Sequence, residues 1–172
     1  MPGMWWLVGG CVLLVLVSAY LAWTAARVDR LHLRVAAAAR ALDAHLVRRG
    51  AAAAVLAEER SGTDLYADDL YVAARIALDA APEDREAAEN DLTRQLRRAP
   101  LRADDPAAAG VVAASRRLAL ARQVHTDLVR DALSARDRPI VRLLRMARRH
   151  ERPRYFDIDD PTLELQPDVS VA

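Results

Sequence analysis

The chain has 172 residues and a formal net charge of +1, and 53% of it is apolar while only 5% is aromatic. That length supports one modest core and not two, and an apolar set poor in aromatic rings suits closely packed helices better than sheets. So small a net charge excludes a field strong enough to steer the whole molecule onto nucleic acid.

All 25 basic residues are arginine, a bias that, with the abundant alanine, reads as compositional before it reads as arginine chemistry. The single Cys11 lies inside an apolar run, where it can close no intrachain disulfide, so cysteine usage leaves the redox compartment open.

The first element is Met4 to Ala26, 23 residues without a charge. As a helix it extends about 34 Å, enough to cross a hydrocarbon core of roughly 30 Å. Trp5 and Trp6 mark one end and Tyr20 and Trp23 the other, as expected of rings that anchor at the two lipid–water interfaces. A cleaved signal peptide would carry a basic leader and a shorter run. Val8-Gly9-Gly10-Cys11 superficially resembles a lipoprotein cleavage box, but its apolar stretch follows the cysteine. A transmembrane anchor is therefore expected. No arginine precedes it, whereas Arg27, Arg30, Arg34 and Arg40 follow, so the positive-inside bias predicts a cytoplasmic soluble part with the N-terminus outside.

From Val28 the apolar residues Val28, Leu31, Val35, Leu42 and Leu46 recur at helical spacing, with Ala38 and Ala39 between them. The membrane helix is thus predicted to continue as a stalk through Arg49 and as far as Arg60, with Gly50 a candidate kink. After Ser61-Gly62, with Thr63 or Asp64 as cap, a second helix is expected over Leu65 to Ala80, packed through Leu65, Tyr66, Leu70, Ile76 and Leu78. A third covers Glu83 to Arg98, opened by Pro82 and stopped by Pro100. Asp105-Pro106 caps a fourth, running to about Arg136 with Val111, Leu118, Ala121, Leu128 and Ala132 inward. No period-two strand pattern occurs.

After Pro139, a short amphipathic helix is predicted from Ile140 to His150. It sets Arg142, Arg145, Arg149 and Arg152 on one face and Ile140, Leu143, Leu144 and Ala147 on another. Arg138 to Arg154 holds seven arginines against one glutamate, while the stretch from Tyr155 onward is acidic and contains no base. The tail is expected to be disordered or to fold back on the basic block.

The expected fold class is all-α, an N-terminal transmembrane helix continuing into an antiparallel four-helix bundle. The division is an anchor at 1–26, a bundle at 27–137, a basic amphipathic helix and aromatic stretch at 138–156, and an acidic, disordered tail at 157–172.

Short stretches of the soluble part resemble the LemA family, bacterial proteins with an N-terminal membrane helix and an antiparallel bundle of long helices. Leu42-Asp43-Ala44-His45-Leu46-Val47-Arg48-Arg49 is similar to that family's Ile-Asp-x-x-Leu-x-Arg-Arg, and Glu89-Asn90-Asp91-Leu92-Thr93 to its Glu-Asn-x-Leu-Ser. Ala121-Arg122-Gln123-Val124-His125 falls where the family has Ala-Arg-x-x-Tyr-Asn, and Arg152-Pro153-Arg154-Tyr155-Phe156 resembles its terminal aromatic stretch. Gly50-Ala51-Ala52-Ala53 replaces the family's usual proline-containing segment, and the basic leader is missing. The resemblance implies a bundle and no agreed catalytic chemistry.

Residues able to carry chemistry are scattered. His32 and His45 have no ligand partner at helical spacing. His125 reads as a hydrogen-bonded core histidine and His150 as a solvated one among arginines. Asp64, Asp68 and Asp69 suit a helix start. Asp157, Asp159 and Asp160 lack the glycine and spacing of a calcium loop. No phosphate loop, nucleophile elbow or Nudix-like signature is present.

The chain is accordingly read as a non-enzymatic, membrane-anchored scaffold or adaptor, with no catalytic residue, cofactor or metal. Its expected partners are the lipid bilayer and another protein, with homo-oligomerisation open and nucleic acid excluded. The alternative is binding of an anionic lipid or ligand through Arg142, Arg145, Arg148, Arg149 and Arg152. A hydrolase whose site assembles only on oligomerisation ranks last.

Overall fold

The computed structural model describes residues 3–167, with side chains from Trp5 onward. The chain is all-helical: α1 (Gly3–Glu59), α2 (Ala67–Asp79), α3 (Arg85–Arg98), α4 (Pro106–Arg136) and the short α5 (Pro139–Leu143). No strand occurs among the described residues, only an isolated parallel bridge between Arg102 and Gln166. Two compact units emerge, one formed by Met1–Ala37 with Asp127–Arg154 and the other by Ala38–Thr126 with Tyr155–Ala172. They cut across the division read from sequence, because α1 and α4 each contribute to both.

In the first unit, α1 opens with an apolar stretch that the chain itself leaves uncovered: Trp5 is 79% exposed and Leu14 68%. The helix is long and apolar enough to cross a membrane. Its foot is covered, since Val28 packs with Val141 and Ala147, flanked by Ile140 and Met146.

The helix expected over Ile140–His150 forms only its first turn. α5 ends at Leu143, and Arg145 follows at φ 52°. Met146 N–H donates to Val141 O at 3.0 Å and Arg145 N–H to Arg142 O at 3.2 Å. These two bonds are the 6→1 and 5→2 pair of a Schellman stop, completed by Met146 packing beside Val141. The predicted apolar face is accordingly broken: Leu143 is 81% exposed and Leu144 half-exposed, while Val141 and Ala147 go inward.

The second unit has its core where Ala53, Leu56 and Ala57 of α1 meet Leu70, Ala73 and Ala74 of α2, Leu92 and Leu96 of α3, and Val111 and Val112 of α4. A smaller cluster joins Leu42, Leu46, Leu118 and Ile158, with Phe156 against it. α1 runs unbroken through Gly50. That glycine is buried because α2 crosses it closely: a Cβ added there would stand 3.0 Å from Leu78 Cδ2.

The close crossing explains a correction to α2. Its inner face is Ala67, Leu70, Ala73, Ala74 and Ala77, whereas Leu65, Tyr66 and Ile76, expected inside, are exposed. Small side chains at most inner positions let the backbones approach, while Leu65, Tyr66 and Ile76 are turned outward.

Polar contacts fix the connections. Asp64 Oδ1 accepts Tyr66 N–H at 3.0 Å just before α2. Asp105 Oδ1 accepts Ala107 N–H at 2.8 Å and Ala108 N–H at 3.2 Å, the expected cap with Pro106 in the first turn. Arg60 binds Asp105 Oδ2 at 2.6 Å and Pro100 O at 2.7 Å, tying the end of α1 to the α3–α4 connection.

The acidic stretch, expected to be disordered, takes a definite extended course as far as Pro167. Ile158 and Leu163 are buried. Asp157 N–H donates to Glu86, Asp159 N–H to Asn90 Oδ1, and Arg97 to Asp160 O. Gln166 and the Leu101–Ala103 backbone exchange two hydrogen bonds. The segment thereby lines α3, whose polar side chains satisfy an otherwise unpaired backbone. The last part of the predicted tail, 168–172, lies outside the described residues.

Candidate functional site

The predicted interface anchors are all exposed on α1: Trp5, Trp6, Tyr20 and Trp23. Tyr20 and Trp23 stack at 6.4 Å, and the Arg27 guanidinium lies 5.7 Å from the Trp23 ring. An aromatic pair with a cation at its lower edge is suited to a boundary between hydrocarbon and headgroups.

Just beyond Arg27 the first unit gathers residues distant in sequence. His32 and His150 stack with ring centroids 4.3 Å apart. Arginine can only donate, so Arg136 Nη1 at 3.2 Å makes His32 Nε2 an acceptor, and His32 Nδ1 donates to Val28 O at 2.8 Å. His150 Nε2 donates to Asp29 Oδ1 at 2.7 Å. His150 is therefore engaged, against the expectation of a solvated side chain. The stacked rings direct their nitrogens to separate partners, and no metal-holding group of three or more ligands exists among the described residues. No local spacing could have announced this cluster, since 121 positions separate Asp29 from His150.

Beside it lies a concave space of about 520 Å³ lined by Arg136, Arg142, Arg145, Arg148 and Arg152, with Asp137 the one acid and Leu133, Val141 and Ala147 forming its floor. Four of the five arginines expected to contact an anionic lipid or ligand, Arg142, Arg145, Arg148 and Arg152, do line this space. The fifth, Arg149, is not part of the lining, because the left-handed turn at Arg145 breaks the helical register.

The second unit buries a different polar group. Arg49 and Thr93 are fully buried and Glu89 nearly so. Arg49 Nη2 donates to Thr93 Oγ1 at 2.5 Å, and its Nη1 stands 3.7 Å from Glu89 Oε2. Neither Glu89 oxygen accepts a hydrogen bond. Burial therefore pushes the Glu89 carboxyl up to about 7 and outweighs the pull of Arg49 in the other direction. Burial likewise lowers the Arg49 guanidinium, against the pull of Glu89. Enclosed on all sides, the pair offers no surface to a substrate.

His125 is buried as expected, but its Nδ1 has no hydrogen-bond partner, and burial holds its basicity below the usual imidazole range. His45 instead lines an apolar groove of about 330 Å³ with Ala38, Ala41, Arg117, Leu120 and Val124.

No family model matches this chain, and neither a curated protein nor a solved structure does, so the functional reading must come from these geometries themselves.

Proposed function

We infer that this chain is a membrane-anchored, non-enzymatic helical scaffold or adaptor. In this reading it is a divergent relative of the LemA family whose soluble part is an antiparallel four-helix bundle facing the cytoplasm. The observation that carries the adaptor role is the groove between α1 and α4 in the second unit. It is lined by the small Ala38, Ala41 and Ala121 and by Leu120 and Val124, which remain 64% and 55% exposed. Uncovered side chains of this size along one groove suit a helix laid into it. Arg117 and His45 in the lining select a partner helix with carboxylates beside its apolar stripe.

The family reading gains support from the similar stretches themselves. Arg49, at the end of one similar stretch, meets Glu89 and Thr93 of another in the interior. Those stretches thus serve helix packing, which fits a family without agreed catalysis.

A photo-crosslinker placed at Val124 in the full chain, in its native membrane, tests the adaptor. It should capture a defined protein that is lost in Leu120→Glu and not captured from Ile76 on α2. Capture unchanged by Leu120→Glu refutes the reading. A self-crosslinked dimer refutes it equally, making the groove a self-association surface.

A further inference from the structure

We propose that Arg142, Arg145, Arg148 and Arg152 form a binding site for a phosphate group, held beside the foot of α1. All four residues line one concavity, together with Arg136, and its single acid is Asp137. None of the four has an ion-pair or hydrogen-bond partner for its side chain among the described residues. Elsewhere in the chain Arg60, Arg85, Arg94 and Arg130 each pair with an aspartate. Four like charges drawn together repel one another, and an anion between them relieves that repulsion. Guanidinium forks match the oxygens of phosphate two at a time, which makes it the anion of choice over a halide or a single carboxylate.

The backbone supplies an independent sign. Arg145 occupies the left-handed position of the Schellman stop, where glycine is the unstrained residue. A long cationic side chain kept at a strained position points to use of that side chain.

The floor of the site sets its height. Val141 and Ala147 rest on Val28, two residues beyond the uncharged stretch and so about 3 Å further along the helix. The arginine lining is therefore held where the apolar part of α1 gives out. Arg136 fastens this arrangement, donating to His150 O at 3.1 Å as well as to His32. If α1 spans a bilayer, as the anchor reading has it, this is the level of headgroup phosphates. The phosphate then comes from an anionic phospholipid. A soluble phosphate compound presents the same chemistry.

The test uses the full-length protein in nanodiscs. Wild type in mixed phosphatidylcholine and phosphatidylglycerol discs should retain phosphatidylglycerol after detergent extraction, read by native mass spectrometry. Each arginine replaced by glutamine should weaken that retention about fivefold. In pure phosphatidylcholine discs, inorganic phosphate titrated by calorimetry distinguishes the soluble source. Binding there, lost in Arg142→Gln/Arg148→Gln, supports the site with a soluble ligand. Arg145→Gly separates binding from folding: it should raise the melting temperature by relieving the turn while weakening retention. A chain that fails to partition into lipid but still binds phosphate through these arginines removes the anchor and leaves the site standing. Equal retention of both lipids together with no phosphate binding overturns the proposal, as does retention unchanged in the double variant.

Discussion

Glu89→Gln is expected to stabilise the protein at pH 8 and to remove a pH dependence that the wild type shows. At 3.7 Å and an effective dielectric of about 20, the attraction between Arg49 and an ionised Glu89 is about 4 to 5 kcal/mol. Desolvating two buried ions costs several kcal/mol each. The Glu89 oxygens accept no hydrogen bond that would offset it, so desolvation wins and the carboxyl rises from 4.5 to about 7. A folded-state value above the unfolded one means that the folded protein holds the proton more tightly. The stabilisation is complete below about 4.5 and is lost as pH rises through 7. The difference corresponds to roughly 3 kcal/mol. His125 runs the opposite way, because a depressed imidazole stabilises above its ordinary value and loses that contribution in acid. Both proteins contain it, so it cancels in the comparison. Urea unfolding followed by circular dichroism at pH 5 and pH 8, in one detergent, supplies the numbers. Wild type and Glu89→Gln should agree to within about 1 kcal/mol at pH 5, with the variant more stable by about 3 kcal/mol at pH 8. A variant less stable than wild type at pH 8, with the acid gain intact, would show that the ion pair outweighs its own desolvation and would refute the argument.

Four further outcomes can be measured by thermal or denaturant unfolding. Gly50→Leu should destabilise by about 2 kcal/mol or more, since even a Cβ meets Leu78 at 3.0 Å. Gly50→Ala should stay within about 1 kcal/mol, because the flexible Leu78 tip can yield and alanine favours helix. Asp105→Ala should cost about 2 kcal/mol through loss of the α4 cap and of the Arg60 pair. Burial works against the Asp105 charge, but the bonds from Arg60, Ala108 and Ala107 prevail and hold its carboxyl low. That contribution is present above the ordinary carboxylate range and falls away in acid, opposite in sign to Glu89. Leu163→Ala should cost about 2 to 4 kcal/mol, a loss that a disordered tail would not show.

The sequence announced α4 almost to the residue because its ends carry strong local signals, an Asp-Pro cap and a proline three residues beyond Arg136. α1 was legible for a similar reason: no residue within it breaks a helix, and Gly50 alone was ambiguous. The inner face of α2 was not legible from side-chain size. Leu65, Tyr66 and Ile76 look like core, but what decides is how closely α2 can approach α1, and Gly50 with Ala73, Ala74 and Ala77 permits an approach that bulky residues would prevent. Glycine and alanine matched across two elements were the available signal. Around Arg145 the helical period itself misled, because periodicity assumes the right-handed conformation throughout, and a single left-handed residue ends the helix and discards the register. The histidine stack had no sequence signal, being assembled by the docking of α5 and its following turn on Val28.

What the arginines do follows from where their partners are. Composition supplied 25 basic residues without a lysine, so number alone carries no meaning. Pairing does. Arg49 is committed to Thr93 and Glu89, Arg60 to Asp105 and Pro100, Arg85 to Asp43, Arg97 to Asp160 and Arg136 to His150, and each of these contacts ties one segment of chain to another. Such residues are structural by position, and replacing them tests folding. Arg142, Arg145, Arg148 and Arg152 tie nothing together, yet they are drawn to one concavity, and one of them occupies a backbone position that glycine fills without strain. Folding gains nothing from that concentration of charge. A charge cluster that the fold maintains without using is most economically explained by an anion from outside the chain, which is why Arg145→Gly should move stability and anion binding in opposite directions.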